Sequence, residues 1–412
     1  MSEITMKDKA ILRELAKRQL ELANSPKNRS LEKEWLLHNT FKGTRPMMHV
    51  EMGTFWPEAI LPLLKCESSA ARNIEAILHH QFFNQEVIGD DHPIRDYFPV
   101  YWQSWFTLFG HNITTSHAAE PGLGHSFNYV IEDLEDDYNK LGASDFGIDK
   151  EGSLKEEAFC NELFGDILPV KRISGSLYAV PTQKIVHLMG MENMMVSMID
   201  YPELFLKMMD RIAEDYLAYF RLLEAEGALC PTVGPEYLAQ GSFCFTDELP
   251  AVAPVKTTDV WGYLDSQESV GLSPDMFKEF LFPCYDKIAS IFGLLSYGCC
   301  EPVHSVWENC LSKLPNLRKV SISPWCDEEY MGHELRGKNI TFFRKPSPNY
   351  LGVGNTMDEA GLRSHFETTL RAARGCTLEF AQRDVYTIGG DISRAQRYVQ
   401  IFRETVEKHW QG

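Results

Sequence analysis

Two adjacent cysteines and a glutamate end an apolar segment of the chain, "GLLSYGCCEPVHSVW" (293–307). Cys299 and Glu301 are two positions apart, so an extended backbone directs both side chains to one side and Cys300 to the other. Thiolate and carboxylate groups are ligands of zinc, which takes about four donors in a tetrahedral arrangement. The segment therefore predicts part of a metal site, while two thiols that only pack in the interior are the alternative interpretation.

Polar groups also follow three later segments with strand character, 317–323, 339–346 and 376–384. In chain order these groups are Trp325, Cys326 and Asp327, then Arg344 and Lys345, then Gln382, Arg383 and Asp384. An earlier strand, 45–53, adds His49 and Glu51 on one face. Carboxyl ends of parallel strands meet at one edge of a sheet or barrel, so these groups are predicted to form one site.

Within that site, Cys326 and Asp384 are the candidates to complete a ligand set begun by Cys299 and Glu301. A zinc ion with one open position holds an incoming thiol as its thiolate, which is a nucleophile at neutral pH. Arg344 and Lys345 are expected to place positive charge at the rim for an anionic group. A structural salt bridge to Glu301 or Asp327 is the alternative for this pair of cations.

Strands that alternate with amphipathic helices must position these groups. Helical patterns cover 272–293, with Ser273 as N-cap, and then 303–315, 357–375 and 391–410. Such alternation predicts a parallel sheet in an α/β fold. The length and the absence of a glycine-rich dinucleotide fingerprint favour a closed (β/α)8 TIM barrel over an open sheet. We predict one barrel domain over 45–412, preceded by an N-terminal helical extension over 1–44.

Composition excludes several classes of protein. Of 412 residues, 44% are hydrophobic and 24% charged, which is ordinary for a globular protein. The formal charge of −18 argues against nucleic acid or an anionic membrane as partner. Neither a secretory signal nor a membrane-spanning apolar run is evident. We therefore expect a cytoplasmic location, with the ten cysteines as reduced thiols; the oligomeric state stays open.

Four segments resemble the uroporphyrinogen decarboxylase superfamily. They are "GDILPVKRISGSLYAVPTQKIVHLMGMENMMVSMIDYPELFLKMMDRI" (165–212), "LDSQESVGLSPDMFKEFLFPCYDKI" (264–288), "YGCCEPVHS" (297–305) and "GGDISRAQRYVQIFRETV" (389–406). The resemblance extends from about Arg45 onward and implies a (β/α)8 barrel. It also places the "LDSQES" segment near the substrate cavity, where Asp265 or Glu268 would donate a proton or hold a substrate amine.

That superfamily has a decarboxylase branch and a methyltransferase branch. The decarboxylases act on tetrapyrroles without a cofactor and carry paired arginines near the N-terminus, which "RPMMHVEMGTFWPE" (45–58) lacks. A substrate with many carboxylates needs such cations. The methyltransferases use zinc and a corrinoid protein, and their His-x-Cys pair falls here on Tyr297 and Cys299. Their late cysteine falls in "AQRDVYTIGG" (381–390), which contains none.

The resemblance thus implies methyl transfer between a small methylated compound or thiol and the cobalamin of a separate corrinoid protein, assisted by zinc. The expected residues are Glu268, Asp265, Tyr297 and His49 for catalysis, Lys345, Arg344 and Trp325 for the cofactor, and Cys299, Glu301, Cys326 and Asp384 for the metal. One alternative is a decarboxylase of a tetrapyrrole or another poly-acid. Another is a non-catalytic corrinoid- or tetrapyrrole-binding protein.

Overall fold

The computed structural model describes residues 4–117, 124–354 and 356–410. Its α-helices, α1 to α14 in chain order, span Met6–Ala23, Pro26–Asn39, Trp56–Ile60, Ser69–Phe83, Leu134–Asp137, Lys150–Phe164, Pro181–Asp200, Pro202–Ala225, Pro274–Met276, Phe282–Ala289, Glu328–Leu335, Asn349–Gly352, Glu359–Ala372 and Ser393–His409. Within these described ranges, no helix combines the length and the apolar character that crossing a bilayer requires.

A row of parallel strands forms the centre of the described structure. Its strands are β1 (Met47–Val50), β2 (Leu177–Ala179), β3 (Trp261–Leu264), β4 (Leu294–Tyr297), β5 (Leu317–Ile322), β6 (Thr341–Arg344) and β7 (Leu378–Gln382). They pair in the order β2-β3-β4-β5-β6-β7-β1, so the first strand lies beside the last. The predicted α/β class and parallel sheet are confirmed, while the residues described here form no closed ring of strands.

Five of the seven strands in the row are buried on both faces. Every residue of β1, β3, β4, β6 and β7 is buried. Such strands are typical of parallel sheets that helices cover on both faces. Their sequences are continuous apolar runs rather than alternating apolar and polar residues. Shorter pairs lie outside the row: Phe98–Tyr101 with Val170–Ile173, Gln103–Thr107 with Asp145–Asp149, Thr115–His117 with His125–Phe127, and Tyr237–Ala239 with Ser242–Phe243.

Two of the predicted helices differ from the structure. The pattern over 272–293 forms α9 and α10 with a π-helical turn between them, Phe277–Leu281, because Pro283 has no amide hydrogen for the regular helical bond. Ser273 caps α9 as predicted, since its Oγ accepts from the Met276 amide at 3.2 Å. The pattern over 303–315 forms only two short 3₁₀ turns. Its valine, serine and asparagine residues are weak helix formers, so burial of its apolar side chains decides the local shape.

A buried polar cluster joins the N-terminal helices to the sheet. The Lys319 ammonium on β5 lies 2.6 Å from Glu379 Oε2 on β7 and 2.9 Å from Asn39 Oδ1 at the end of α2. It also donates to Ser242 Oγ at 2.7 Å, and His38 Nε2 lies 3.5 Å from the same Glu379 oxygen. The cluster therefore fixes α2 and the 237–243 hairpin relative to β5 and β7.

Candidate active site

The polar groups at the strand ends come together at one edge of the sheet. Asp265 follows β3, Cys299 follows β4, Lys345 follows β6 and Arg383 follows β7. The Lys345 ammonium lies 3.2 Å from the Gly298 carbonyl oxygen and 3.3 Å from that of Cys299. Parallel strands in neighbouring positions thus bring residues distant in the sequence into one site.

The backbone in this region adopts uncommon conformations. Gly298 has a φ of +102°, and a side chain there would place its Cβ 3.0 Å from the Cβ of Ser321. Glycine lets the chain turn directly after β4. Two residues other than glycine, Gln240 (φ 57°) and Asp384 (φ 58°), also occupy the left-handed region. Such conformations cost free energy and cluster at functional sites.

The Glu301 carboxylate joins two of the strand-end loops. Its Oε1 accepts from the Ser266 amide at 3.0 Å, and its Oε2 accepts from the Cys299 amide at 2.8 Å. The side chain is buried. Both carboxylate oxygens are thus engaged with the backbone, so Glu301 holds the loops after β3 and β4 together.

Asp265 is a buried carboxyl group with an altered acidity. Its Oδ2 accepts from the Tyr263 hydroxyl at 2.7 Å, and its carbonyl oxygen accepts from the Tyr285 hydroxyl at 2.7 Å. Burial raises the pKa of Asp265 to about 7, repulsion by Glu301 adds to this shift, and the Tyr263 bond partly offsets it. Asp265 can therefore donate or accept a proton near neutral pH.

Glu268 and Tyr297, both predicted to be catalytic, lie close to Asp265 in the interior. Glu268 Oε2 accepts from Thr182 Oγ1 at 2.8 Å, and burial raises the pKa of Glu268. The Tyr297 hydroxyl lies 2.6 Å from Ser266 Oγ, and the whole residue is inaccessible to solvent. Tyr297 thus supports the loop after β3, and a catalytic role for either residue stays a prediction.

His49 lies under the 237–243 hairpin, and its hydrogen-bond partners are Gly241 and His92 rather than the thiols. Its Nδ1 lies 3.0 Å from the Gly241 carbonyl oxygen and must donate to it. The opposite ring nitrogen, Nε2, lies 3.2 Å from Nδ1 of His92. The predicted catalytic His49 is thus one member of a buried imidazole pair, and a catalytic role for it stays a prediction.

The two adjacent thiols differ in acidity. Cys299 Sγ lies 3.7 Å from Cys300 Sγ, and Cys300 Sγ lies 3.9 Å from Asp384 Oδ2. Donation from the Cys299 thiol lowers the pKa of Cys300, and the same contact raises the pKa of Cys299. Cys300 is therefore the thiol that forms a thiolate more readily, and it is also the more exposed of the two.

The four predicted metal ligands do not form a zinc site in this arrangement. Glu301 is engaged with the backbone, Cys326 Sγ donates to the Glu301 carbonyl oxygen at 3.8 Å, and Asp384 lies beside Cys300 rather than Cys299. Over the described ranges, no three side chains of His, Cys, Asp or Glu are grouped so that they could hold a metal ion. The donor atoms present therefore do not fit the tetrahedral site that zinc requires.

The predicted cofactor residues point in different directions. Lys345 faces the interior, where its ammonium donates to Gln240 Oε1 at 2.8 Å. Arg344 faces the helices and pairs with Glu328 Oε1 at 2.5 Å, because neighbouring residues of a strand point to opposite faces. The salt bridge considered for this pair therefore forms, but with a partner other than the two predicted. Trp325 is 74% exposed at the surface.

Two groups predicted to share the site, Glu51 and Arg383, are joined to each other and to a residue that was not predicted, Tyr237. Arg383 Nε lies 3.2 Å from Glu51 Oε2, and the Tyr237 hydroxyl donates to Glu51 Oε1. The position of Glu51 and Arg383 at strand ends is the sequence signal that predicts them. Tyr237 lies on a hairpin outside the sheet and has no such signal.

A cavity of about 350 Å³ opens beside these groups. Tyr101, Tyr178, Tyr237, Gln240 and Arg383 line it, together with serine, glycine and small apolar residues. A larger cavity of about 730 Å³ lies between α4 and α6, but it is lined by none of the strand-end groups. The smaller cavity is therefore the candidate active site, since it adjoins the ionisable residues.

The acidity of Cys300 leads to a labelling prediction. We expect iodoacetamide at neutral pH to alkylate Cys300 faster than Cys230, because only the thiolate reacts and the pKa of Cys300 is lowered whereas that of Cys230 is raised. Cys230 is the matched control, since it is also partly exposed but burial raises its pKa. Peptide mass spectrometry over a time course measures both rates, and equal rates would contradict the assignment.

Comparisons with known proteins concern the fold. No protein-family model matches the chain, and no curated protein matches its sequence. A solved structure of a methyltransferase from Methanosarcina mazei matches with a TM-score of 0.50 and 14% sequence identity. The match covers 91% of this chain and 98% of the other. At this identity the similarity shows a shared α/β fold along nearly the whole of both chains.

Proposed function

We propose that this protein is a methyltransferase that moves a methyl group between a small molecule and the cobalamin of a separate corrinoid protein. The observation that carries the proposal is the strand-end site. There Asp265, with a pKa raised to about 7, accepts from the Tyr263 hydroxyl, and the Tyr263 ring stacks on Tyr178, which lines the cavity. The fold similarity to a methyltransferase over 91% of the chain supports the same reaction class.

The chain itself would bind the small molecule and move a proton. When its carrier docks, cobalamin supplies the cobalt that accepts or returns the methyl group. As the bond between the methyl carbon and the donor heteroatom breaks, Asp265 gives its proton to that heteroatom. In the opposite direction, with a thiol as acceptor, the Asp265 carboxylate takes the thiol proton. Trp325 and Tyr386, both exposed beyond strand ends, are the surface groups we propose for the carrier.

No step in this mechanism uses zinc, because the donor atoms do not converge. We also propose that the seven-strand row is the larger part of an eight-stranded barrel that closes between β1 and β2. A reducing, cytoplasmic location fits the ten free cysteines.

Decarboxylation of a poly-acid is the second candidate and has less support. Several carboxylates on one substrate need several uncommitted cations. Arg344 is paired with Glu328, and Arg383 lies between two carboxylates, those of Glu51 and Asp384. The site therefore offers too little free positive charge for such a substrate.

A spectroscopic assay separates the two candidates. Reduced cobalamin is mixed with the purified protein and, in turn, with methylated phenols, methylated amines and methylated thiols. We expect the absorbance of methylated cobalamin to appear with at least one donor and to need the protein. Release of carbon dioxide from uroporphyrinogen by the protein alone, with no methyl transfer from any donor, would instead establish the decarboxylase.

A further inference from the structure

The guanidinium of Arg383 has an unused hydrogen-bond donor. Its Nε lies 3.2 Å from Glu51 Oε2, and its Nη2 lies 3.2 Å from Asp384 Oδ1. Both Nε and the third nitrogen, Nη1, are buried and make no hydrogen bond within the part of the chain that the structure describes. The side chain is only 16% exposed, yet it lines the strand-end cavity. A buried donor without a partner is unfavourable, so an oxygen acceptor on a ligand would supply the missing hydrogen bond.

The walls of this cavity are aromatic and held in place. Tyr101 and Tyr178 line it and are 47% and 46% exposed. The Tyr178 ring stacks on the buried ring of Tyr263, with centroids 4.8 Å apart and planes at 19°. The Tyr237 hydroxyl is fixed by its bond to Glu51. Rings that are immobilised in this way offer a preformed surface for another ring.

The charged side chain that lines the cavity is already paired. Arg383 lies 3.2 Å from a carboxylate oxygen of Glu51 and 3.2 Å from one of Asp384. The Lys345 ammonium donates to Oε1 of Gln240 at 2.8 Å, and Gln240 lines the cavity. A ligand with a net charge would therefore bring an uncompensated charge into a partly buried site, which is costly.

We propose that this cavity binds an uncharged aromatic ring that carries an oxygen acceptor, a phenol or its methyl ether, with the oxygen facing Arg383 Nη1 and the ring against the tyrosines. The volume of about 350 Å³ accommodates one substituted ring. That the ligand is the methyl ether rests on the proposed methyltransferase function, whereas binding of the ring does not.

Calorimetric titration without cobalamin tests the ligand class. The ligands are 2-methoxyphenol, 2-methoxycyclohexanol, which lacks the aromatic ring, and 2-methoxybenzoate, which adds a negative charge. We expect the first to bind at least about tenfold more tightly than each of the other two. Equal binding of the cyclohexanol would overturn the aromatic requirement, and tighter binding of the benzoate would overturn the requirement for an uncharged ligand.

Two variants test the assigned contacts independently. Arg383→Met and Tyr178→Leu should each weaken 2-methoxyphenol binding by about tenfold or more, and Arg371→Met, on an exposed arginine, should leave it unchanged. Thermal unfolding checks that each variant is folded. If Arg383→Met does not fold, Tyr178→Leu alone tests the proposal. Unchanged binding in a folded Tyr178→Leu variant would contradict the proposal. Ring binding without methyl transfer would refute the proposed function but not this ligand class.

Discussion

Replacing Asp265 by Asn is expected to lower the rate of methyl transfer from a methyl ether by about 10²–10⁴-fold, the usual contribution of a positioned general acid. The amide has the same shape and still accepts from the Tyr263 hydroxyl, which is 2.7 Å from Asp265 Oδ2. It cannot give a proton to the leaving oxygen. Single-turnover kinetics with saturating donor measure the change, since binding is then already complete.

The pH dependence of the wild-type rate follows from the same group. The pKa of Asp265 is raised to about 7, mainly by burial, so the acid form is present at and below that pH. We expect the single-turnover rate to fall about tenfold per pH unit above about 7. The Asp265→Asn variant should lose this dependence. Asp275→Asn, at an exposed position of α9, is the control and should match the wild type in rate and profile. An Asp265→Asn variant with full activity would show that another group supplies the proton.

Replacing Glu379 by Gln is expected to lower the free energy of unfolding by about 3–5 kcal/mol, because it leaves the buried Lys319 ammonium without its counter-ion. Both side chains are inaccessible to solvent and lie 2.6 Å apart. Urea denaturation measures the change. Glu151→Gln is the matched control, since its pair with Lys155 is exposed and such pairs contribute about 0–1 kcal/mol.

Acidity changes the size of this effect in a defined direction. Burial alone would raise the pKa of Glu379, but attraction to Lys319 and contact with His38 outweigh it and lower the pKa from 4.5 to about 2. The carboxylate therefore stabilises the fold above pH 4.5, and that stabilisation is lost as the pH falls toward about 2. The wild type and Glu379→Gln should thus approach each other in stability over this range. A constant difference from neutral to acidic pH would contradict the assigned ion pair.

The strand ends could be predicted from the sequence because the strands are short, apolar and separated by helical patterns. The alternation of side chains on a strand also explains what the prediction missed at Arg344 and Lys345. Adjacent residues must face opposite sides, so only Lys345 reaches the interior, while Arg344 pairs with Glu328.

Contacts between distant segments could not be predicted. Glu301 binds the amide of Ser266, which is 35 positions earlier in the chain, and Tyr237 reaches Glu51 from a hairpin outside the sheet. Neither contact has a local spacing that would reveal it. The segment 303–315 was predicted as a helix from its apolar periodicity alone, although its residues have low helix propensity. Tertiary packing, which the sequence pattern does not describe, decides its structure.

The most direct test of the account follows a labelled methyl group. The protein is mixed with reduced cobalamin and 2-methoxyphenol that carries ¹³C in its methyl group, and NMR spectra are recorded over time. We expect the methoxy signal to decrease while a cobalt-bound methyl signal grows by the same intensity, and we expect Asp265→Asn to slow this exchange. A methoxy signal that stays constant with every methyl ether, amine and thioether tested, in the presence of active cobalamin, would contradict the assignment of methyl transfer.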